Sequence, residues 1–245
     1  MIGDFLSGAS YVLRGSRLAV RPELRRFVLI PLMINTLVFS AAIWFGISQF
    51  DALLEWLLPA GNSWWAEYAR AALWVIFSVI VLLILFFTFT VLANLIGAPF
   101  NGLLSEKVEN YLSGEVLQNG GGVRDFLSTI LPSLMSEVKK LLYFLSLGIA
   151  IFLLALIPGL NVLSPILWAL YTSWMLATEY AAYPMENHKM YFSRIRSELK
   201  SHKSVAFGFG LAVMIMSTIP VVNFFVMPVA VSGATALWVE RLKKG

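Results

Sequence analysis

Cysteine is absent, which excludes disulfides, thiolate metal sites and a cysteine nucleophile. Histidine is nearly absent: His188 and His202 both lie in polar sequence, and neither belongs to a His-Glu-x-x-His motif. With no P-loop and no Gly-x-Ser-x-Gly elbow, the chain is expected neither to hydrolyse ATP nor to act as an enzyme, and no cofactor or metal is expected. Charge is scarce too, at 13% of residues, where soluble domains carry about 25%. No small-residue cleavage site follows an early apolar core, so no cleavable leader is expected. The net charge of +4 sits in patches beside apolar runs. That is the pattern of cytoplasmic loops in a membrane protein and not a nucleic-acid footprint.

What fills the space is hydrophobic: 59% of the chain. The expected fold is an all-α integral membrane protein forming one membrane domain. Residues 1–26 hold an amphipathic helix, with Phe5, Ala9, Val12 and Leu13 on one face, followed by an arginine motif. Spans are expected over 27–50 and 71–97. The second, about 27 residues or roughly 40 Å of helix, exceeds the ~30 Å hydrocarbon core and must tilt or protrude. Between them, Trp56, Trp64, Trp65 and Tyr68 accompany three acids and one arginine, Arg70. Interfacial aromatics with few cations mark the outer side, which puts the amino terminus in the cytoplasm. Residues 98–140 and the basic stretch 184–203 are polar enough to leave the bilayer. With the terminal Arg241, Lys243 and Lys244, they are assigned to the cytoplasmic side, and so is the carboxyl terminus.

Two hairpins occupy the rest, 141–183 and 204–239. Each carries the same break: Ile157-Pro158-Gly159-Leu160-Asn161 with Pro165 following, and Ile219-Pro220-Val221-Val222-Asn223 with Pro228 following. Proline lacks a backbone donor and clashes with the preceding turn, so neither run is expected to be one straight helix. Paired breaks of this kind mark transport pathways in other membrane proteins. The first hairpin's arms, about 17 or 18 residues each, give a marginal ~26 Å, whereas about 11 residues after Pro228 give only ~16 Å. Partial insertion is therefore expected for the second hairpin and, by analogy, for the first. Irregular backbone at that depth needs protein cover, which predicts a homo-oligomer. Asn161 and Asn223 are positioned to cap their own turns.

Candidate chemistry gathers at three places. In Arg21-Pro22-Glu23-Leu24-Arg25-Arg26, proline suits the first helical position, and the free N–H groups of a helix start attract anions. Arg25 and Arg26 could close guanidinium forks on an oxyanion, with Glu23 competing for the same donors. The plainer reading is a pair of topology anchors. In the second place, Asn94 and Asn101 flank Gly97 and Pro99, which are expected to break the long helix. Glu106 and Glu109 follow at i, i+3 beside Lys107. These residues, with Asn35 in the first span, are either a capped helix end with a solvated charged face or the polar lining of a pathway. An unpaired amide in lipid favours the lining. A carboxylate in an anion path needs a neutralising cation, for which Lys107 is the nearest choice. In the third, Glu179 stands in an apolar run; pairing with a basic residue of the next segment is the expected role, and proton handling is the alternative.

The stretches Pro22 to Arg26, Ala98-Pro99-Phe100-Asn101, Leu104-Ser105-Glu106-Lys107-Val108-Glu109 and Tyr183-Pro184-Met185-Glu186-Asn187 together resemble the CysZ sulfate permeases, a bacterial inner-membrane family related to the eukaryotic etoposide-induced 2.4 proteins. The resemblance covers nearly the whole chain. It implies ATP-independent sulfate uptake for cysteine biosynthesis, two full spans with partly penetrating hairpins, and an oligomer. It also implies a sulfate-binding Gly-Leu-Arg motif at the start of the first long helix. Leu24 and Arg25 match it, Arg26 adds a cation, and Glu23 stands in the glycine's place. Uptake could be channel-like or proton-coupled. The alternatives are a membrane scaffold or regulator of the same superfamily, and a permease for another oxyanion such as sulfite or phosphate.

Overall fold

The computed structural model describes residues 2–57, 64–114 and 123–243. Among these, every regular element is helical: α1 Ile2–Ala19, α2 Arg25–Leu57, α3 Trp64–Ser113, α4 Val123–Ala155, a 3₁₀ turn Asn161–Leu163, α5 Ser164–Glu186, α6 Phe192–Ser201, α7 Lys203–Ser217, α8 Pro220–Leu237 and a π turn Trp238–Leu242. Among the described residues, three stretches are long and apolar enough to cross a membrane: Arg25–Trp56, Leu131–Ala155 and Val222–Leu242. The chain divides into two compact units, Leu29–Phe100 on one side and Met1–Val28 with Asn101–Gly245 on the other.

In the smaller unit, Phe50 of α2 stacks on Phe77 of α3 with ring centroids 3.9 Å apart. Trp74 sets its edge against both rings. Elsewhere both helices turn Leu37, Trp44, Val75 and Ile76 outward. Apolar side chains facing outward along two long helices suit a lipid surroundings.

The larger unit is built around α5, α7 and α8, with α1 packed on α7 and α8. Glycine allows that docking. A β-carbon at Gly8 would overlap the Val205 carbonyl, and one at Gly208 would overlap the Phe5 carbonyl. Small residues of this kind let helix backbones approach closely where lipid supplies no hydrophobic drive between helices. The approach also decides which face of α1 is covered. Gly8, Tyr11, Val12, Gly15, Leu18 and Ala19 are buried; of the expected face only Val12 is among them, Phe5 and Ala9 are half-buried and Leu13 is exposed. Leu13, with Ile2, Leu6 and Val20, forms an exposed apolar stripe instead.

Several local expectations about proline are corrected. The long helix α3 runs unbroken from Trp64 to Ser113, through Gly97 and Pro99. Helix α8 likewise continues through Pro228 and passes into the π turn. A proline costs the helix one donor, but Val226, Val229, Ala230 and Val231 around Pro228 are all buried, and that packing offsets the missing bond. The last arm is therefore about twice the length that a stop at Pro228 allows. Its partner α7 has 15 residues, roughly 22 Å, short of a full ~30 Å crossing.

The two tips differ. Pro158 and Gly159 lie in a turn where Gly159 takes φ +88°, and the Ile157 carbonyl accepts from the Leu160 and Asn161 amides at 3.1 and 3.2 Å. At the second tip, extended Ile219 leads directly into Pro220, the first residue of α8. Neither the 3₁₀ turn nor α8 has a side-chain cap, so Asn161 and Asn223 do not cap their turns as expected. Helix α4 begins at Val123, well ahead of the apolar arm expected from Leu141.

Candidate functional site

The arginine motif is held by its own backbone. Arg21 N–H donates to the Leu18 carbonyl at 3.1 Å, closing the end of α1. The Arg21 carbonyl then accepts from Leu24 at 3.0 Å and Arg25 at 2.8 Å, and the Leu24 carbonyl from Phe27 at 3.0 Å. Pro22 thus opens a single turn, and the continuous helix α2 starts at Arg25, three residues later than proline placement suggested. The amides of Leu24 and Arg25 are used inside this turn, which leaves fewer N–H groups at an anion's disposal than a bare helix start would.

Side chains sort by burial. Leu24 is 2% exposed and faces the core, so any part it takes at an anion runs through its backbone. Glu23, Arg25 and Arg26 are exposed, with the Arg26 guanidinium 5.0 Å from the centre of the Phe27 ring. Arg21 is engaged elsewhere, over the ring of Tyr111 in the last turn of α3.

The end of α3 carries a polar stripe. Asn101, Ser105 and Glu109 recur every four residues on one face, all buried, at 6%, 0% and 0% exposure. Ser105 accepts a hydrogen bond from the Thr235 hydroxyl of α8 at 3.0 Å. One Glu109 carboxylate oxygen meets His188 Nε2 at 2.8 Å and receives Lys243 Nζ at 3.1 Å. Its other oxygen, the Ser232 hydroxyl and the Trp238 indole nitrogen are buried without partners. Buried groups of this kind are costly unless water or another polar guest reaches them.

The sequence paired Glu106 with Glu109, but the structure separates their roles. Glu106 keeps Lys107 at 3.2 Å, the neutralisation expected of it, whereas Glu109 draws its partners, Lys243 and His188, from two distant segments. His188 and Lys243 were missed because they lie 79 and 134 positions away from Glu109 and carry no local pattern. The side chains of Asn35 and Asn94 lie outside the described residues; their backbones belong to α2 and α3.

A second charged group forms between α4 and α5. Lys140 bonds Glu179 at 2.8 Å and Glu137 at 3.0 Å. Glu179 is therefore paired, as expected, but with the preceding helix and not the following segment. Nearby, beyond the apolar arm, part of the Glu186 side chain reaches solvent, yet the protein mass around it still dominates. Burial raises its carboxyl to about 7, Lys140 opposes the rise, and Glu137 and Glu179 add to it. Among the described residues no cluster of three or more His, Asp or Glu side chains is arranged to hold a metal.

The family model described as Sulfate transporter CysZ/Etoposide-induced protein 2.4 matches residues 11–228. A curated relative from Vibrio cholerae, named sulfate transporter CysZ, is 43% identical over 241 residues, covering 97% of this chain and 94% of its own. One of the same name from Vibrio parahaemolyticus is 42% identical, with 97% and 96% covered. A third, from Pseudomonas aeruginosa, is 40% identical over 236 residues, with 96% of each chain covered.

Proposed function

The chain belongs to the sulfate transporter CysZ/etoposide-induced protein 2.4 family, and on that premise we propose that it is a permease carrying sulfate across a bacterial inner membrane. Near-full-length identity of about 40% to relatives that bear the name sulfate transporter is the observation that carries the reading. The finer parts of the proposal rest on the chemistry of the chain. Arg25 and Arg26, exposed and adjacent at the entry to an apolar helix, attract the dianion and offer it guanidinium forks in place of water. Glu23 beside them limits dwell time, which suits conduction, since a site must release what it binds.

Asn35, Asn94 and Asn101 are the amides proposed to line the anion's route, and Arg25 and Arg26 belong to its cytoplasmic end. The carboxylates on this route do not repel it because each has a cation, Lys107 at Glu106 and Lys243 at Glu109, and His188 also contacts Glu109. Transport needs no ATP from this chain and runs down the sulfate gradient or with a proton, feeding cysteine synthesis. Both termini lie in the cytoplasm, and a homo-oligomer shields the hairpins, whose α7 arm is too short to cross alone.

Radiolabelled sulfate uptake into proteoliposomes tests the proposal. Uptake above that of empty liposomes, inhibited by unlabelled sulfate more than by phosphate or sulfite, is expected. Folded protein that gives no uptake refutes it. Arg25→Ala with Arg26→Ala should weaken sulfate binding at least tenfold, as expected for losing charge-assisted bonds of about 1.5–3 kcal/mol each. Unchanged binding returns both residues to topology anchors.

A further inference from the structure

We propose that Tyr111 is a positioning residue for the anion site at Arg25 and Arg26, acting through Arg21; the inference rests on the sulfate reading above. Arg21 is the pivot of the turn that presents the two arginines. Its carbonyl closes the turn by accepting both the Leu24 and the Arg25 amide, so the direction of the Arg25 backbone follows the orientation of the Arg21 peptide. The Arg21 side chain is already engaged in this arrangement. Its guanidinium lies 4.5 Å from the centre of the Tyr111 ring and donates a hydrogen bond to the Tyr111 hydroxyl. Stacking on the ring face fixes the plane of the guanidinium, and the hydroxyl fixes its rotation within that plane.

The turn is thereby held at two points. Leu24 anchors it in the core from one side, and the Arg21–Tyr111 contact anchors it to the last turn of α3 from the other. Leu24, with Phe27 and Val28 packed on the core, holds the buried side of the segment, and the Arg21–Tyr111 contact restrains its exposed side. That restraint, in place before sulfate arrives, lowers the ordering cost of binding. Tyr111 lies two residues beyond Glu109, so the same stretch of α3 that carries the polar stripe also sets the arginine turn.

The test uses the full chain, with sulfate as the probe, in proteoliposome flux and in binding to the detergent-solubilised protein. Tyr111→Leu and Arg21→Gln should each raise the KM for sulfate roughly three- to tenfold, the range of one cation–π contact plus a hydrogen bond at a partly exposed site. Maximal flux and thermal stability should stay at the wild-type level. Tyr111→Phe, which keeps the ring and loses the hydroxyl, should fall between, and the double variant should be no worse than either single one. Three results overturn the inference: an unchanged KM in Tyr111→Leu while Arg25→Ala raises it, additive effects of the two substitutions, or a loss of thermal stability that accounts for the change. Wild-type protein without uptake refutes the permease reading itself and this inference with it, a pattern distinct from the other three.

Discussion

Replacing His188 and Lys243 together by alanine leaves the Glu109 carboxylate fully buried with no cation beside it. Replacing Glu109 by glutamine does the opposite and leaves Lys243 and His188 without a carboxylate. The structure makes these perturbations unequal. Glu109 has no exposure, whereas the side chains of His188 and Lys243 are 25% and 36% exposed and can turn to water. An uncompensated buried charge costs about 3–5 kcal/mol, so the double alanine variant should lose about 3 kcal/mol of stability, the lower end because both partners are partly hydrated already. Glu109→Gln keeps the volume and loses one charge-assisted network, about 1–2 kcal/mol. For a chain of this size each kcal/mol corresponds to roughly 2–4 °C, so the expected falls are roughly 6–12 °C and 2–8 °C. Combining all three substitutions should recover part of the loss, because the orphaned charge is gone. Thermal unfolding of detergent-solubilised protein, followed by tryptophan fluorescence, reads all three. A Glu109→Gln variant as damaged as the double alanine variant, or a triple variant worse than both, refutes the claim that the carboxylate is the buried member of the group.

Gly208→Ala places a β-carbon on the Phe5 carbonyl and should displace α1 at a cost of at least ~2 kcal/mol, while Gly102→Ala, with open space around it, should gain about 0.5–1 kcal/mol; the two melting curves decide whether close helix approach or mere helix propensity governs these sites. Glu186 should make stability fall as pH rises. Its carboxyl is raised to about 7 in the fold from an ordinary value of 4.5, so the folded chain binds more protons between those values and stability declines across that window. Glu186→Gln should flatten the dependence between pH 5 and 7.5, and an unchanged slope refutes the assignment.

The helical, membrane-spanning class was legible because it follows from composition and run length, properties that no tertiary contact can reverse. The site was legible only in part, and the residues show why. Asn101, Ser105 and Glu109 recur every four positions along one face, a periodicity visible in the sequence, yet the neighbouring Glu106 drew attention to a three-residue pairing that the fold does not use. Local rules also misjudged Pro99 and Pro228. Each proline lacks one donor, and the rule treats that loss as decisive, but α8 packs Val226, Val229 and Ala230 into the core around the defect. The face of α1 was misassigned for a related reason. Hydrophobicity pointed to Leu13, whereas docking depends on the flat surface at Gly8 and Gly15, where the absence of a side chain lets α7 and α8 approach. In each case the deciding energy comes from a partner far along the chain. His188 and Lys243 at Glu109, and Tyr111 at Arg21, are the same kind of pairing, between residues separated by 79, 134 and 90 positions. Local sequence selects the residues capable of chemistry at Arg25, Arg26 and Glu109, and distant segments decide which of them stay hydrated, which are neutralised and which are held still.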